Sequence, residues 1–245
     1  MEVLALEDAR SIGDVLREID QTQKLKEDFL LVNSDFVSNI NLEPALLAHF
    51  KGVYEIDKSQ LTEEEQSQQL ILTKVFIDTD FIDPARASSQ DLFLLQNART
   101  NQLLHYKSME SFRNVALNLD HISFKQSKTL KYEARHDLID TDINVCSHDL
   151  LKCFTDNFDY DTLKDKFVQH VTESELQEHK IHGIEITGNA YYSKIIDPRT
   201  YDAVSRDIIR RYASPLAVDS RLLAQNSQEV SYTVNNNNKY FGKGV

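Results

Sequence analysis

A short apolar run followed at once by an acidic turn constrains this chain more than any other part of its sequence. Phe29–Val32 has the length and residue types of a strand buried in a parallel sheet, and Asn33, Ser34 and Asp35 follow it directly. Open α/β sheets bind ligands beyond the carboxyl ends of their strands, where a carboxylate can hold a hard divalent cation. The pattern predicts an α/β fold with Asp35 as a candidate metal ligand. The alternative for Asp35 is an Asx turn or a helix entry, where Asp is common.

The glycines do not supply the phosphate-binding loop that a nucleotide site at this position needs. The 245 residues include only six glycines, and none belongs to G-x-G-x-x-G or G-x-x-x-x-G-K-[ST]. The histidines lack the H-E-x-x-H spacing, and the two cysteines lack zinc-ligand spacing. We therefore predict neither a cofactor nor a bound metal for this chain.

Composition and charge limit the class of partner. The net charge of −12 argues against a nucleic-acid surface, which needs clustered Lys and Arg, and it suits a basic protein partner or plain solubility. No stretch approaches the ~18 apolar residues of a membrane span. Two cysteines give no disulfide framework, so we expect reduced thiols and a cytosolic location. These features predict neither direct nucleic-acid binding nor membrane insertion.

Capping residues predict where several helices begin. Ser11 and Asp14 form a capping box, and Asp197 with Pro198 gives the last helix its N-cap and first residue. Further predicted caps are Asn41, Ser147 and Thr162. The predicted buried face of the last helix consists of Tyr201, Val204, Ile208 and Tyr212. These helices alternate with strands, which is the pattern of an α/β domain.

Runs of β-prone residues predict the remaining strands. They are Leu70–Ile77, Asp91–Gln96, Gln102–Tyr106, Leu138–Cys146, Ile181–Ile186 and Tyr191–Ile196. The second and third of these runs flank a short polar turn and are predicted to form a hairpin. The chain begins without the strand and glycine loop that usually open a nucleotide-binding half. We therefore expect an incomplete domain over residues 1–216, with its N-terminal part missing.

An aromatic and acidic run, Phe154–Tyr160, is predicted to connect two helices. One interpretation is that the rings of its two phenylalanines and its tyrosine pack under the loop. Residue patterns alone favour this interpretation. The other interpretation is an exposed recognition tip, since Phe and Tyr are enriched at interface hot spots.

Five stretches, in order, together resemble the epsilon-subunit family of translation initiation factor 2B, the nucleotide-exchange factor for initiation factor 2. They cover most of residues 11–216 and are Ser11–Arg17, Phe29–Ile40, Asp137–Cys146, Phe154–Tyr160 and Tyr201–Arg211. Residues 239–245 resemble the entry to that family's left-handed β-helix domain, and a polar linker is expected over residues 217–238. The resemblance implies a nucleotidyltransferase-like mixed sheet with flanking helices.

The first domain of this family in turn resembles the sugar-phosphate nucleotidyltransferases, and the departures from those enzymes imply a degenerate site. Lys194 falls on their second metal-binding Asp, Ser34 replaces the Gly before the first, and Leu138-Ile139-Asp140 stands for their N-A-G sugar-binding turn. A lysine removes a ligand and repels a cation. The resemblance thus implies that Asp35 and Lys194 mark a degenerate metal and nucleotide site without catalytic residues.

The resemblance also implies partners and leaves one alternative open. It implies assembly with the gamma and other subunits of initiation factor 2B, with exchange activity in a separate C-terminal domain. It further implies that Asn157 and Phe158 contact the GTP-binding subunit of initiation factor 2. The alternative is a fragment of an active sugar-1-phosphate nucleotidyltransferase that uses Asp35 and a divalent metal.

Overall fold

Helices and strands alternate along the chain, as the capping residues and apolar runs predict. The computed structural model of the protein describes residue 6 and residues 9–54, 69–78, 91–108, 131–174, 179–188, 190–217, 233–235 and 239–241. The helices are α1 (Ile12–Thr22), α2 (Glu43–Tyr54), α3 (Asp149–Asp156), a π-helical segment (Leu163–Val168), α4 (Gln169–Glu173) and α5 (Pro198–Ile209). The strands are β1 (Phe29–Val32), β2 (Phe36–Ser38), β3 (Gln69–Asp78), β4 (Leu92–Asn97), β5 (Leu103–Ser108), β6 (Tyr132–Arg135), β7 (Leu138–Cys146), β8 (His179–Ile186), β9 (Tyr192–Lys194), β10 (Thr233–Asn235) and β11 (Lys239–Phe241).

The central sheet is mixed, with the strand order β1-β7-β3-β8. Strands β3 and β8 are parallel, whereas β7 is antiparallel to both of its neighbours. The prediction of a buried, parallel Phe29–Val32 strand is wrong. Among the described strands β1 lies at the edge of the sheet, pairs antiparallel with β7, and leaves Leu30 43% and Val32 44% exposed. The predicted α/β class, a mixed sheet with flanking helices, is confirmed.

Smaller sheets complete the described part of the chain. Strands β4 and β5 form the predicted hairpin, and β6 pairs with the other side of β4. Strands β2 and β9 form a two-stranded antiparallel ladder in which Phe36 lies opposite Lys194. Strands β10 and β11 pair with each other, one from the predicted linker and one from the predicted β-helix entry. Residues 218–232 and 236–238 of that predicted linker lie outside the described residues, so the domain boundaries stay a prediction.

Three of the predicted helix caps are confirmed, and two act differently. The capping boxes at Ser11 and Asp197 are both formed, and the Asn41 side chain accepts a hydrogen bond from the Glu43 amide at 3.0 Å. Ser147 does not cap α3, because the residue directly before that helix is His148, which makes no side-chain capping bond, and the Ser147 amide donates to the Ile71 carbonyl at 2.9 Å. Thr162 precedes the π-helical segment without a side-chain capping bond.

Two apolar clusters hold helices against the central sheet. The larger includes Leu16 of α1, Phe154 of α3 and Phe76 of β3, and the smaller joins Ala45 of α2 to Val75 of β3. Val75 and Phe76 are adjacent in one strand, so their side chains point to opposite faces and the sheet is covered on both sides. None of the helices within the described residues is long and apolar enough to cross a membrane.

Helix α5 buries a narrower face than predicted. Thr200 and Val204 are buried, but Tyr201 is 63% exposed and Tyr212 is 62% exposed. The helix follows β9 at the surface of the described structure, so a narrow stripe around Val204 suffices to attach it. The prediction that the two tyrosines line a buried face is wrong.

Candidate functional site

Lysines and aspartates alternate in a continuous chain of ion pairs beside a cavity of about 790 Å³. The central sheet contributes three of these groups, and the turn after β1, strand β9 and the π-helical segment contribute one each. In order, the six residues are Asp35, Lys194, Asp142, Lys164, Asp140 and Lys74. We call them the ion chain. Three positive charges face three negative charges, so the set is formally neutral.

The outer end of the ion chain contains both residues that the sequence singled out. The Lys194 ammonium lies 2.6 Å from Oδ2 of Asp142 and 3.4 Å from Oδ2 of Asp35. The β2–β9 ladder holds these groups together, since the Ile195 amide donates to the Asp35 carbonyl at 2.7 Å. The structure therefore brings Asp35 and Lys194 into contact and adds Asp142, which sequence reasoning missed.

At the inner end of the ion chain, the charged groups also form hydrogen bonds with two neutral side chains. The Lys74 ammonium lies 2.9 Å from Oδ2 of Asp140 and donates to Oδ1 of Asn144 at 3.0 Å. The Tyr106 hydroxyl donates to the same Asp140 oxygen at 2.6 Å. Lys74, Asp140 and Tyr106 are all buried. A buried pair of charges needs such extra hydrogen bonds, because the loss of water around each ion is otherwise uncompensated.

Lys164 links the two ends of the ion chain. Its ammonium lies 2.7 Å from Oδ1 of Asp142 and 3.7 Å from Oδ2 of Asp140. The π-helical segment carries this lysine over the sheet, where Leu163 and Phe167 are buried in the larger apolar cluster. The π-helical segment is therefore held against the sheet in two ways: Lys164 forms ion pairs with β7, and Leu163 and Phe167 pack in the apolar cluster.

The ion chain fixes the charge state of its buried members. Burial raises the pKa of Asp140, but the positive charges of Lys164 and Lys74 outweigh burial and hold that pKa well below its usual range. Burial lowers the pKa of Lys164, but Asp140 and Asp142 more than reverse this and raise it. Burial and the Asp140 charge raise the pKa of Tyr106 well above its usual value. At neutral pH the carboxylate and the ammonium are charged and the phenol keeps its proton.

A bulge in β7 places the two central carboxylates. The pairing register between β3 and β7 shifts between Lys74 and Phe76, and Asp142 has a left-handed φ of 56°. Bulges re-aim side chains, and Asp tolerates this backbone region better than most residues. The Thr141 hydroxyl donates to the Val75 carbonyl at 2.8 Å, and the Asp142 amide donates to Oδ1 of Asp140 at 3.0 Å. The bulge thereby lets Asp140 and Asp142 both reach Lys164.

The residues of this site do not fit a divalent cation. Asp35 and Asp142 are the carboxylates that would bind one, and both lie within 3.4 Å of the Lys194 ammonium. A metal placed between them would meet that positive charge at close range. Within the described ranges, no group of three or more His, Cys, Asp or Glu side chains could hold a metal ion.

Leu138-Ile139-Asp140 does not form a turn. These residues open strand β7, where Leu138 and Ile139 are buried and Asp140 is engaged by Lys74 and Tyr106. They lie in the predicted strand Leu138–Cys146, which sheet pairing with β3 keeps extended, and their correspondence with the N-A-G turn stays a prediction.

The aromatic run divides between the core and the surface. Phe154 lies in α3 and is fully buried, Tyr160 is buried, and Phe158 is 74% exposed. Asn157 ends α3 with its amide bonded to the Cys153 carbonyl, and its side chain accepts from the Asp159 amide at 3.0 Å. Two of the three rings thus pack in the core, Phe158 is exposed and Asn157 beside it is half-buried, and a recognition role for the pair stays a prediction.

Arg17 of α1 forms hydrogen bonds with the backbone of this exposed turn. Its guanidinium donates to the carbonyls of Phe154 at 2.9 Å, Phe158 at 2.9 Å and Tyr160 at 3.2 Å. Its carbon atom also lies 5.1 Å from the centre of the Phe158 ring, within cation–π range. Sequence reasoning missed this residue. A buried arginine beside the Ser11 capping box was the only available signal.

Replacing Arg17 with lysine should lower the free energy of unfolding by about 1–3 kcal/mol. A lysine keeps the charge but cannot reproduce the planar fork, so buried carbonyls lose their donors. Thermal unfolding followed by circular dichroism measures the change, with Arg206→Lys on exposed helix α5 as the matched control. An equal effect of the two substitutions would contradict the supporting role of Arg17.

Comparison with known proteins finds sequence similarity between this chain and one subunit of an initiation factor. No protein-family model matches the chain. It is 34% identical over 215 residues to translation initiation factor eIF2B subunit epsilon of Schizosaccharomyces pombe, which covers 88% of this chain. It is 30% identical over 222 residues, or 91% of the chain, to the same subunit of Dictyostelium discoideum. Over about nine tenths of its length the chain is therefore similar in sequence to eIF2B epsilon subunits.

The chain spans 30% and 29% of the length of those two relatives. Among solved structures it is similar to CMP:2-keto-3-deoxy-manno-octonic acid synthetase complexed with CTP, with a TM-score of 0.46 and 13% identity. That similarity covers 85% of this chain and 72% of the synthetase chain.

Proposed function

We propose that this region is a non-catalytic assembly and partner-binding scaffold within the guanine-nucleotide exchange factor for initiation factor 2. The sequence relationship to two epsilon subunits supports a role in translation initiation. The observation that carries the non-catalytic part is the Lys194 ammonium, bonded to Asp142 and 3.4 Å from Asp35. A permanent cation on the chain takes the place that a catalytic metal would need.

The proposed partners are the gamma and other subunits of initiation factor 2B, in the cytosol. In this proposal residues 1–216 form the scaffold domain, residues 217–238 link it onward, and residues 239–245 begin a left-handed β-helix. Exchange activity belongs to a C-terminal domain of the whole subunit. The net charge of −12 supports protein partners over nucleic acid.

Asn157 and Phe158 are the proposed contact with the GTP-binding subunit of initiation factor 2. The 74% exposure of Phe158 supports this proposal, because a ring already packed in the core could not enter a partner's pocket. The side chain of Asn157 is already oriented by the Asp159 amide, which fixes the direction of its remaining hydrogen-bonding groups.

The protein should release no pyrophosphate above background when incubated with GTP or ATP, sugar 1-phosphates and magnesium. Phosphoryl transfer needs charge neutralisation around the phosphates from several directions, and here Asp35 and Asp142 are already neutralised by Lys194. A coupled phosphate assay measures the release. Release that is lost in Asp35→Ala would favour the sugar-1-phosphate nucleotidyltransferase alternative and overturn the non-catalytic proposal.

A further inference from the structure

We infer that the turn at residues 156–161, here called the aromatic tip, is a preformed anchor for a protein surface with an apolar pocket bordered by basic side chains. The inference rests on the proposed function, because it states the chemistry of the partner at that same contact. Three features of the tip carry it: one exposed ring, a backbone fixed from within, and a border of exposed acids.

The first feature is the ring itself. Phe158 is the most exposed of the large hydrophobic side chains in the described residues, while its neighbours Phe154 and Tyr160 are buried. Interface hot spots are typically aromatic side chains that fill a fully desolvated pocket on the partner. One face of the Phe158 ring lies against the Arg17 guanidinium. The rest of the ring is available to a partner.

The second feature is the fixed backbone of the tip. Arg17 donates to the carbonyls of Phe158 and Tyr160, and the Asn157 side chain accepts from the Asp159 amide. The Gly13 amide also donates to the Asp161 carbonyl at 3.1 Å, and an added Cβ at Gly13 would lie 2.1 Å from the Tyr160 carbonyl oxygen. Helix α1 thus supports the tip directly. A turn ordered before binding loses less conformational entropy when it binds.

The third feature is the charge around the ring. Asp156, Asp159 and Asp161 are all exposed, and residues 156–161 contain no Lys or Arg. The positive charge of Arg17 is offset by Asp14, whose carboxylate lies 2.8 Å from the guanidinium. A partner therefore meets an apolar ring bordered by negative charge. Complementary potential favours a pocket with basic side chains at its edge.

The test measures binding of the full-length subunit to purified initiation factor 2 over a series of salt concentrations. Asp156→Asn/Asp159→Asn removes two charges without changing side-chain shape. We expect it to weaken binding on the order of tenfold at low salt and to flatten the salt dependence. Phe158→Ala should weaken binding at every salt concentration and leave the salt slope unchanged. The matched control is Asp202→Asn, an exposed acid on helix α5.

The outcomes separate this inference from the proposed contact. If Phe158→Ala weakens binding and the double Asp variant keeps wild-type affinity and salt slope, the basic-pocket inference is overturned and the contact stands. If Phe158→Ala has no effect, the proposed contact itself fails. Asp161→Asn provides a second charge variant should the double variant unfold. Hydrogen exchange at residues 157–161 should be unchanged in the charge variants and faster in Arg17→Lys, because only the latter loses the support of the backbone.

Discussion

Replacing Lys74 with methionine should lower the free energy of unfolding by about 3–5 kcal/mol. Methionine fills a similar volume, so the loss comes from the buried Asp140 carboxylate, which would keep the Lys164 charge at 3.7 Å and hydrogen bonds from the Tyr106 hydroxyl and the Asp142 amide but would lose its nearest cation. Removing one partner of a buried pair leaves a charge without compensation. Urea unfolding followed by far-ultraviolet circular dichroism measures the difference.

The control for this prediction is Lys152→Met. Lys152 is 60% exposed and pairs with Asp149 at 2.5 Å on one face of α3, so water replaces the lost contact and stability should be nearly unchanged. If Lys74→Met and Lys152→Met lowered the free energy of unfolding by similar amounts, the buried ion chain would contribute no more to stability than a surface ion pair.

Phe158→Ala should weaken binding of initiation factor 2 by about 2 kcal/mol, or roughly thirtyfold, while the protein stays folded. Phe154→Ala is the matched substitution in the same aromatic run. It should cost about 3–5 kcal/mol of folding stability, because Phe154 is fully buried against Tyr160 and Phe167. Nucleotide exchange, binding of initiation factor 2 and assembly with the gamma subunit are measured in the full-length subunit, with Asn157→Ala beside them.

Two results would contradict the assignment of this contact. One is a wild-type exchange rate in both Asn157→Ala and Phe158→Ala subunits that assemble normally. The other is a Phe158→Ala subunit that fails to fold, which would place the ring in a structural role despite its exposure.

Local signals in the sequence predicted the elements well. Strand Leu138–Cys146 has the predicted bounds, and the Ser11 capping box and the Asp197 N-cap form as predicted. Each of these features depends on residues close together in the chain. The strand direction at Phe29–Val32 was missed because it depends on pairing with Leu138–Cys146, more than 100 residues later. An apolar run of four residues contains no information on the direction of such a distant partner.

The candidate site was predicted only in part. Asp35 and Lys194 were singled out, and the structure places them 3.4 Å apart. Lys74, Asp140 and Asp142 were missed, although they lie inside strongly apolar strands where a charge needs a partner. Opposite charges in two predicted buried strands could have suggested the pair. Whether they meet depends on register and on the β7 bulge, which single-strand patterns do not reveal.

The aromatic run shows the same limit at the surface. Phe154, Phe158 and Tyr160 are all aromatic, yet only Phe158 is exposed to solvent. The difference arises where Asn157 ends α3, and Arg17 fixes the turn that follows. Arg17 lies 141 residues before Phe158. No local pattern could connect the two.

The positive charges that neutralise Asp35, Asp140 and Asp142 are attached to the polypeptide. A lysine counterion cannot dissociate, so its local concentration is fixed by the covalent chain. We therefore expect the charge balance of this interior to be set during folding and to be the same with and without free magnesium.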